Sequence, residues 1–297
     1  MVSVRPPCAA LLLLLAACAG QPPARPLPVP VLRYETLEGE GPGEVSLLFT
    51  LDAENPSGEA AELRITDWGA SLNGRSLSRD GEAELRVGDQ GAPQDGSLPA
   101  LAAGETRSFP LRLNLNLEAL LGEAAPETRE GEAALDLELR YSYPGSGAPE
   151  AGALRIRLRR EARFPLIREP RFSIRSIGVK RAELINTRFL VTISVDNPNA
   201  FPVALSAFSY ELYNRGRFWA GGTMERVLDV PAASSAEAEL ALVMNFINMN
   251  RGLLDEIAAL RQVDYRFTGT ALVNTGFAFL PHFRWTYDSS GSTLVTE

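Results

Sequence analysis

An internal repeat constrains this chain more than any single motif does. Val45 to Ser57 (VSLLFTLDAENPS) aligns with Thr187 to Asn199 (TRFLVTISVDNPN), 142 positions later. In each stretch alternate residues are apolar: Leu47, Phe49, Leu51 and Ala53, then Phe189, Val191, Ile193 and Val195. A period of two puts one face of a strand on a core. Both stretches then meet Asn-Pro, where proline offers no ladder donor and the strand must end or bulge. Gly74-Arg75 falls on Gly216-Arg217 at the same spacing. A longer Gly-, Asp- and Glu-rich loop, Arg79 to Ser97, then shortens the offset to about 129, against a connection around Gly221 to Glu225. Beyond it Leu101–Leu115 parallels Val230–Met244, and Asp136–Tyr141 parallels Asp264–Gly269. Ordered landmarks with one length change indicate an internal duplication.

Within each copy the segments are short and strand-like, separated by Gly, Pro, Asn and Ser. That is the pattern of a β-sandwich. The reading is therefore mainly β: two tandem sandwiches, residues 31–165 and 168–297, each with one added helix. The helix of the second copy is read from Met249, Leu253, Ile257 and Leu260, which recur at three and four to form an apolar stripe. Leu117 to Leu121 is its poorer counterpart in the first copy. Two such modules suit a chain of 297 residues.

The N-terminus is an address. Arg5 precedes the apolar run Ala9–Ala17, which as a helix would span about 14 Å, short of the ~30 Å bilayer core. A charged start, a short apolar run and small residues at its end make a secretory signal over residues 1–17. Leu15-Ala16-Ala17-Cys18 resembles a bacterial lipobox. The resemblance implies cleavage between Ala17 and Cys18 and lipid attachment at Cys18. Two or three acyl chains, at about 0.8 kcal/mol per buried methylene, anchor stably where one is marginal. Cys8 lies within the removed segment, so the mature chain has no internal disulfide to form. Residues 18–30, with five prolines from Pro22 to Pro30, favour polyproline II and form a semi-rigid tether. Ala19, where aspartate would signal inner-membrane retention, leans toward an outer-membrane anchor facing the periplasm.

Composition removes several classes of function. The charge balance is 29 Lys+Arg against 37 Asp+Glu, and all the cations but Lys180 are scattered arginines. Nucleic-acid binding needs clustered positive charge, so none is expected. One histidine, His282, and two cysteines leave no Cys/His metal set, and no cofactor is implied. No Gly-x-Ser-x-Gly elbow recruits His282, and Gly178–Arg181 around Lys180 reads as a surface turn. Carboxylates are abundant, but their loop and strand-face positions read as a solvated surface rather than a glycosidase pair. Asp89–Asp95 lacks the ligand spacing of an EF-hand. Trp68, Trp219 and Trp285 are read as core packing, with an apolar ligand groove as the competing assignment.

At Asn197, Pro198, Asn199, Phe201, Pro202 and Leu205 the sequence resembles the late-embryogenesis-abundant type 2 family, also called the water stress and hypersensitive response domain. The likeness covers about Arg171 to Tyr287. The first copy keeps Asn55 and Pro56 but has Ser57 for the second asparagine and lacks the Phe-Pro pair. The family implies a seven-stranded immunoglobulin- or fibronectin-III-like sandwich with one helix, no catalytic apparatus, and a role in desiccation or osmotic stress. Asn197 and Asn199 are read as structural, their amides satisfying backbone groups at the strand end. The functional expectation is a non-enzymatic, membrane-anchored envelope lipoprotein that binds or shields. The alternative is a periplasmic carrier or docking protein for lipid or another apolar ligand.

Overall fold

The computed structural model describes residues 28–88, 90–91, 96–118, 129–142, 153–182, 186–245 and 262–296. The expected signal segment, Cys18, the expected tether up to residue 27 and the residues of the second helix expectation lie outside them, as does Leu117–Leu121 beyond Glu118. The described chain is almost wholly antiparallel β-structure. Its N-terminal half holds β1 (Val31–Gly41), β2 (Glu44–Glu54), β3 (Glu62–Leu72), β4 (Arg75–Ser76), β5 (Ala83–Val87), β6 (Gln90–Gly91), β7 (Thr106–Asn116), β8 (Glu130–Ser142) and β9 (Leu154–Pro165). The C-terminal half holds β10 (Arg171–Ala182), β11 (Asn186–Asn197), β12 (Val203–Asn214), β13 (Arg217–Met224), β14 (Leu228–Val230), β15 (Ser234–Asn245), β16 (Gln262–Phe277) and β17 (Leu280–Thr296).

In the N-terminal half, one sheet runs β1-β2-β7-β5-β6 and the other β4-β3-β8-β9. Their apolar rows meet in one core, where Leu47, Phe49 and Leu51 of β2 join Leu135, Leu137 and Leu139 of β8. In the C-terminal half the order is β13-β12-β16-β17-β10-β11-β15, with β14 on β12. Here β17 joins β10 through a short parallel pairing at Ile177–Val295 and Gly178–Thr296. The core of this half is richer in rings. Phe172 stacks on Phe267 at 4.4 Å and on Tyr287 at 5.3 Å, and Phe208 lies 5.3 Å from Tyr287.

Burial follows the alternation read from the sequence. The β2 residues Leu47, Phe49, Leu51 and Ala53 are buried, as are Phe189, Val191, Ile193 and Val195 of β11. The pairing is also parallel between halves: Phe49 faces Leu111 and Val191 faces Leu240. Asn73-Gly74 and Arg215-Gly216 close equivalent two-residue hairpins, and all four residues have positive φ. Such turns match the twist of the flanking strands.

Three sequence readings are corrected. Tyr141 faces Leu63 in β3, and the residue facing Leu205 in β12 is Val273. Asp136–Tyr141 therefore corresponds to residues four positions beyond Asp264–Gly269; any even shift preserves an alternating pattern, so only pairing reveals the register. Lys180 lies within β10 rather than in a turn. Gly221–Met224 belongs to β13, and the loop opposite it contains β5.

Candidate functional site

The Asn-Pro turns are the most heavily bonded polar features of the described chain. Asn55 is fully buried. Its Nδ2 donates to the carbonyls of Glu59 at 2.8 Å, Leu101 at 3.1 Å and Ala102 at 2.8 Å. Its Oδ1 accepts from the Ser57 amide at 3.1 Å and the Ser57 hydroxyl at 2.7 Å. Asn197 repeats this arrangement. Its Nδ2 donates to Phe201 at 2.7 Å, Pro231 at 3.0 Å and Val230 at 3.4 Å. Its Oδ1 accepts from the Asn199 amide at 3.0 Å and the Asn199 Nδ2 at 2.9 Å. An asparagine is suited to this place because it carries donor and acceptor on one short side chain. Buried backbone carbonyls without partners would cost about 1–3 kcal/mol each.

The following proline ends the strand in both turns, with Pro56 and Pro198 half-buried. Beyond Pro198, Leu205 is fully buried in the C-terminal core and Pro202 is exposed. Phe201 is half-buried and meets Phe277 edge to face at 4.7 Å.

Asn199 also reaches the segment between the halves. Its Oδ1 accepts from the Arg168 amide at 2.7 Å, and its Nδ2 donates to the Arg168 carbonyl at 2.8 Å. The amide side chain thus pairs with the linker backbone as a neighbouring strand would. The halves meet further through the Gly39 amide, which donates to the Phe279 carbonyl at 2.9 Å. Beside this junction an open groove of about 900 Å³ is lined by Phe164, Pro165, Phe201 and Phe277 together with the charged Arg129, Glu130 and Arg163. The sequence reading missed both Arg168 and this groove. The Phe-Pro pair that only the second copy possesses was the available signal.

A second open groove, about 890 Å³, lies on the polar face of β1, β2, β7 and β5. Within it Arg112 pairs with Glu38 at 2.8 Å and Arg86 with Glu84 at 2.9 Å. Hydrogen bonding from Arg86 holds the Glu84 carboxyl below its usual range. On the outer face of β8 and β9, Arg157 pairs with Glu138, Arg159 with Asp136, and Arg163 with Glu132. These cross-strand pairs join exposed arginines to half-buried acids. Glu169 is exposed, but the protein beside its carboxyl displaces enough water to push its pKa up, and neighbouring Glu118 adds to the shift. His282 is exposed on β17, opposite Asn274. Among the described residues no group of three His, Cys, Asp or Glu could hold a metal ion, and no helix is long and apolar enough to cross a membrane.

Of the tryptophans, Trp219 and Trp285 are buried in the C-terminal core, while Trp68 packs half-buried beneath Arg79, 4.7 Å from its ring centre. Neither buried indole lines the junction groove.

Residues 192–286 match the family model described as late embryogenesis abundant protein, LEA type 2. The match supports the family resemblance read at Asn197–Leu205, and the family is generally non-enzymatic and stress-related. No curated protein matches the chain. Among solved structures, a protein from Archaeoglobus fulgidus is 14% identical, with a TM-score of 0.27, covering 42% of this chain and 94% of that one. A protein from Arabidopsis thaliana, solved in solution, is 16% identical, with a TM-score of 0.35, covering 45% and 86%. A β-glucuronidase from Bacteroides uniformis, covalently bound to cyclophellitol-6-carboxylate aziridine, is 10% identical, with a TM-score of 0.26, covering 82% and 26%. All three likenesses are distant.

Proposed function

We infer that this protein is a non-enzymatic envelope lipoprotein, built from two copies of one sandwich module and anchored by lipid on Cys18. It sits on the periplasmic face of the outer membrane and protects other envelope components during loss of water. The observation that carries the reading is the use of the motif amides. Asn55 and Asn197 spend their side chains on backbone carbonyls of their own turns and of the loop that enters the neighbouring strand, so the signature builds a module and leaves no reactive group. The shared strand order, β1-β2-β7 with β4-β3-β8-β9 against β10-β11-β15 with β13-β12-β16-β17, supports duplication. An acidic, hydrated body held at the membrane would act by separating apolar surfaces of its neighbours.

Drying provides the test. The soluble body should preserve the activity of a client enzyme through dehydration better than an equal mass of albumin, and equal loss in both samples ends the protective reading. Cys18→Ala should abolish palmitate labelling, and continued labelling would refute lipidation at this residue.

The second reading, a carrier or docking protein for an apolar molecule, is favoured by the junction groove with Phe164, Phe201 and Phe277 in its lining. Its volume is in the range of ligand sites. Mass spectrometry of the purified body separates the two readings: a co-purifying lipid lost on Phe201→Ser favours the carrier.

A further inference from the structure

β7 and β15 hold matching places in the two halves yet differ in what covers their outer edge. β7 lies between β2 and β5, with Ala83–Val87 antiparallel to Leu111–Leu115. β15 pairs with β11 over twelve consecutive positions, Asn186–Asn197 against Asn245–Ser234, without a register shift. Among the described residues no strand pairs with its other side. The difference arises upstream. After the Asn73-Gly74 turn the chain leaves β3 within two residues and crosses to β7 as β5. After Arg215-Gly216 it stays on β12 for eight residues as β13.

The register identifies the backbone groups that face outward. The Gly88 amide donates to the Pro110 carbonyl at 2.8 Å, and the Asn116 amide donates to the Glu82 carbonyl at 2.9 Å. Alternate residues from Pro110 to Asn116 therefore present their backbone to β5. Pro110 faces Thr50 and Asn116 faces Glu44 in β2. The corresponding β15 residues are Glu239, facing Thr192, and Asn245, facing Asn186. Glu239, Ala241, Val243 and Asn245 thus aim N–H and C=O groups at the unpaired edge, beside which β13 and β14 pass. In the N-terminal half Pro110 closes the ladder because it has no N–H; Glu239, in its place, has one. A long strand without bulge or proline lacks the usual protection against edge pairing.

The side chains define what this edge would accept. On the core face Leu240 and Leu242 are buried, but Ala236 and Ala238 are only half-buried. Apolar side chains of an added strand would complete that cover. On the outer face Glu237 and Glu239 are exposed. Glu237 lies 3.9 Å from Arg175, and Glu239 has no basic partner among the described residues. Antiparallel pairing of two β15 strands would bring these carboxylates together, which is unfavourable.

We propose that β15 docks an extended segment of a partner protein that alternates apolar residues with arginine or lysine. The segment adds antiparallel along Glu237–Asn245, by strand addition to a sheet edge, over and beyond the stretch equivalent to the one β5 covers on β7. The test titrates the full chain carrying Cys18→Ala with a labelled peptide of about nine residues alternating valine and arginine. A valine–glutamate peptide is the control, and amide hydrogen exchange is read residue by residue. The arginine peptide should bind at least about tenfold tighter than the control and slow exchange at Ala241 and Val243 by about tenfold or more. Ala241→Pro removes one outward N–H and should weaken binding about tenfold. Glu239→Pro, which installs the residue found at this place in β7, provides a second variant with the same expected loss. E237R/E239R should reverse the preference between peptides. Binding that leaves these amides unprotected, or that survives both proline variants in the folded chain, reduces the effect to surface charge and overturns the proposal. So does concentration-dependent protection of the same amides without peptide, which would make a second copy the occupant. Failure to bind the arginine peptide overturns it as well.

Discussion

The two Asn-Pro turns carry out one task with the same first residue and differ in the second. Asn55 and Asn197 each tie three carbonyls across the end of a sheet. Ser57 then keeps its hydroxyl within its own turn, bonding Asn55 and the Glu59 carbonyl. Asn199 extends to Arg168 and fastens the turn to the chain that enters the C-terminal half. The first asparagine is thus a device for building a turn, and the second a device for joining. The N-terminal turn is secured differently, by the Tyr141 hydroxyl, which donates to the Glu54 carbonyl at 2.9 Å. Val273 stands in the matching place and has no hydroxyl.

The cores diverge in the same way. Trp68, Leu137 and Leu158 form a cross-strand row in the N-terminal half, where the other half has Tyr210, Gly269 and Tyr287. Gly269 leaves space for the Tyr287 ring and for its hydroxyl, which donates to the Ser209 carbonyl at 2.7 Å. A Cβ at 269 would overlap both that carbonyl oxygen and the Tyr287 hydroxyl. Burial holds the Tyr287 phenol well above its ordinary pKa, so it remains a donor throughout the physiological range.

Four sets of substitutions would break or sharpen these contrasts. Gly269→Ala should cost about 4 kcal/mol because a backbone atom must move, while Leu137→Ala, at the matching place, should cost about 3 kcal/mol by leaving a cavity. Guanidinium unfolding measures both, and a tolerated Gly269→Ala would remove the packing argument. Asn197→Ala and Asn55→Ala should each cost about 3 kcal/mol, since each leaves buried carbonyls without donors. Unequal losses would mean that the two turns do not share a role. Asn199→Ser, which installs the residue of the first turn, should cost about 1.5 kcal/mol and speed amide exchange at Arg168, whereas Ser57→Asn should change stability by less than about 0.5 kcal/mol.

The smallest effect belongs to Glu169. Its carboxyl titrates above the usual value in the folded protein, so the proton binds more tightly there than in the unfolded chain. The resulting stabilisation is present at low pH and is lost as pH rises through the folded value. Glu169→Gln should therefore raise Tm by about 1 °C near pH 7.5 and leave it unchanged near pH 4. An equal rise at both would assign the effect to packing.

Much of the β-architecture was legible because alternation and turn chemistry are local. The buried rows of β2 and β11 sit where the alternation places them, and the matched glycines Gly74 and Gly216 fall in equivalent turns. The offset between β8 and β16 was not legible, since alternating strands tolerate any even slip until their partners are known. β5 was hidden in a Gly- and Asp-rich loop, although Ala83, Leu85 and Val87 do alternate with Glu84 and Arg86. The local bonding of Asn197 and Asn199 followed from the chemistry of amides at a strand end. The bond to Arg168 did not, because it joins residues 31 positions apart through the folded junction.

The path of β1 has a mechanical consequence. The chain enters the N-terminal half at Val31, opposite Asp52 beside the Asn55 turn, and leaves it at Pro165, opposite Glu130 at the other end. A pull between these points would load the β1–β2 ladder lengthwise, so its bonds would have to rupture together rather than unzip singly. Drawn out by these two points, the N-terminal half would therefore resist as a whole before any strand slid free.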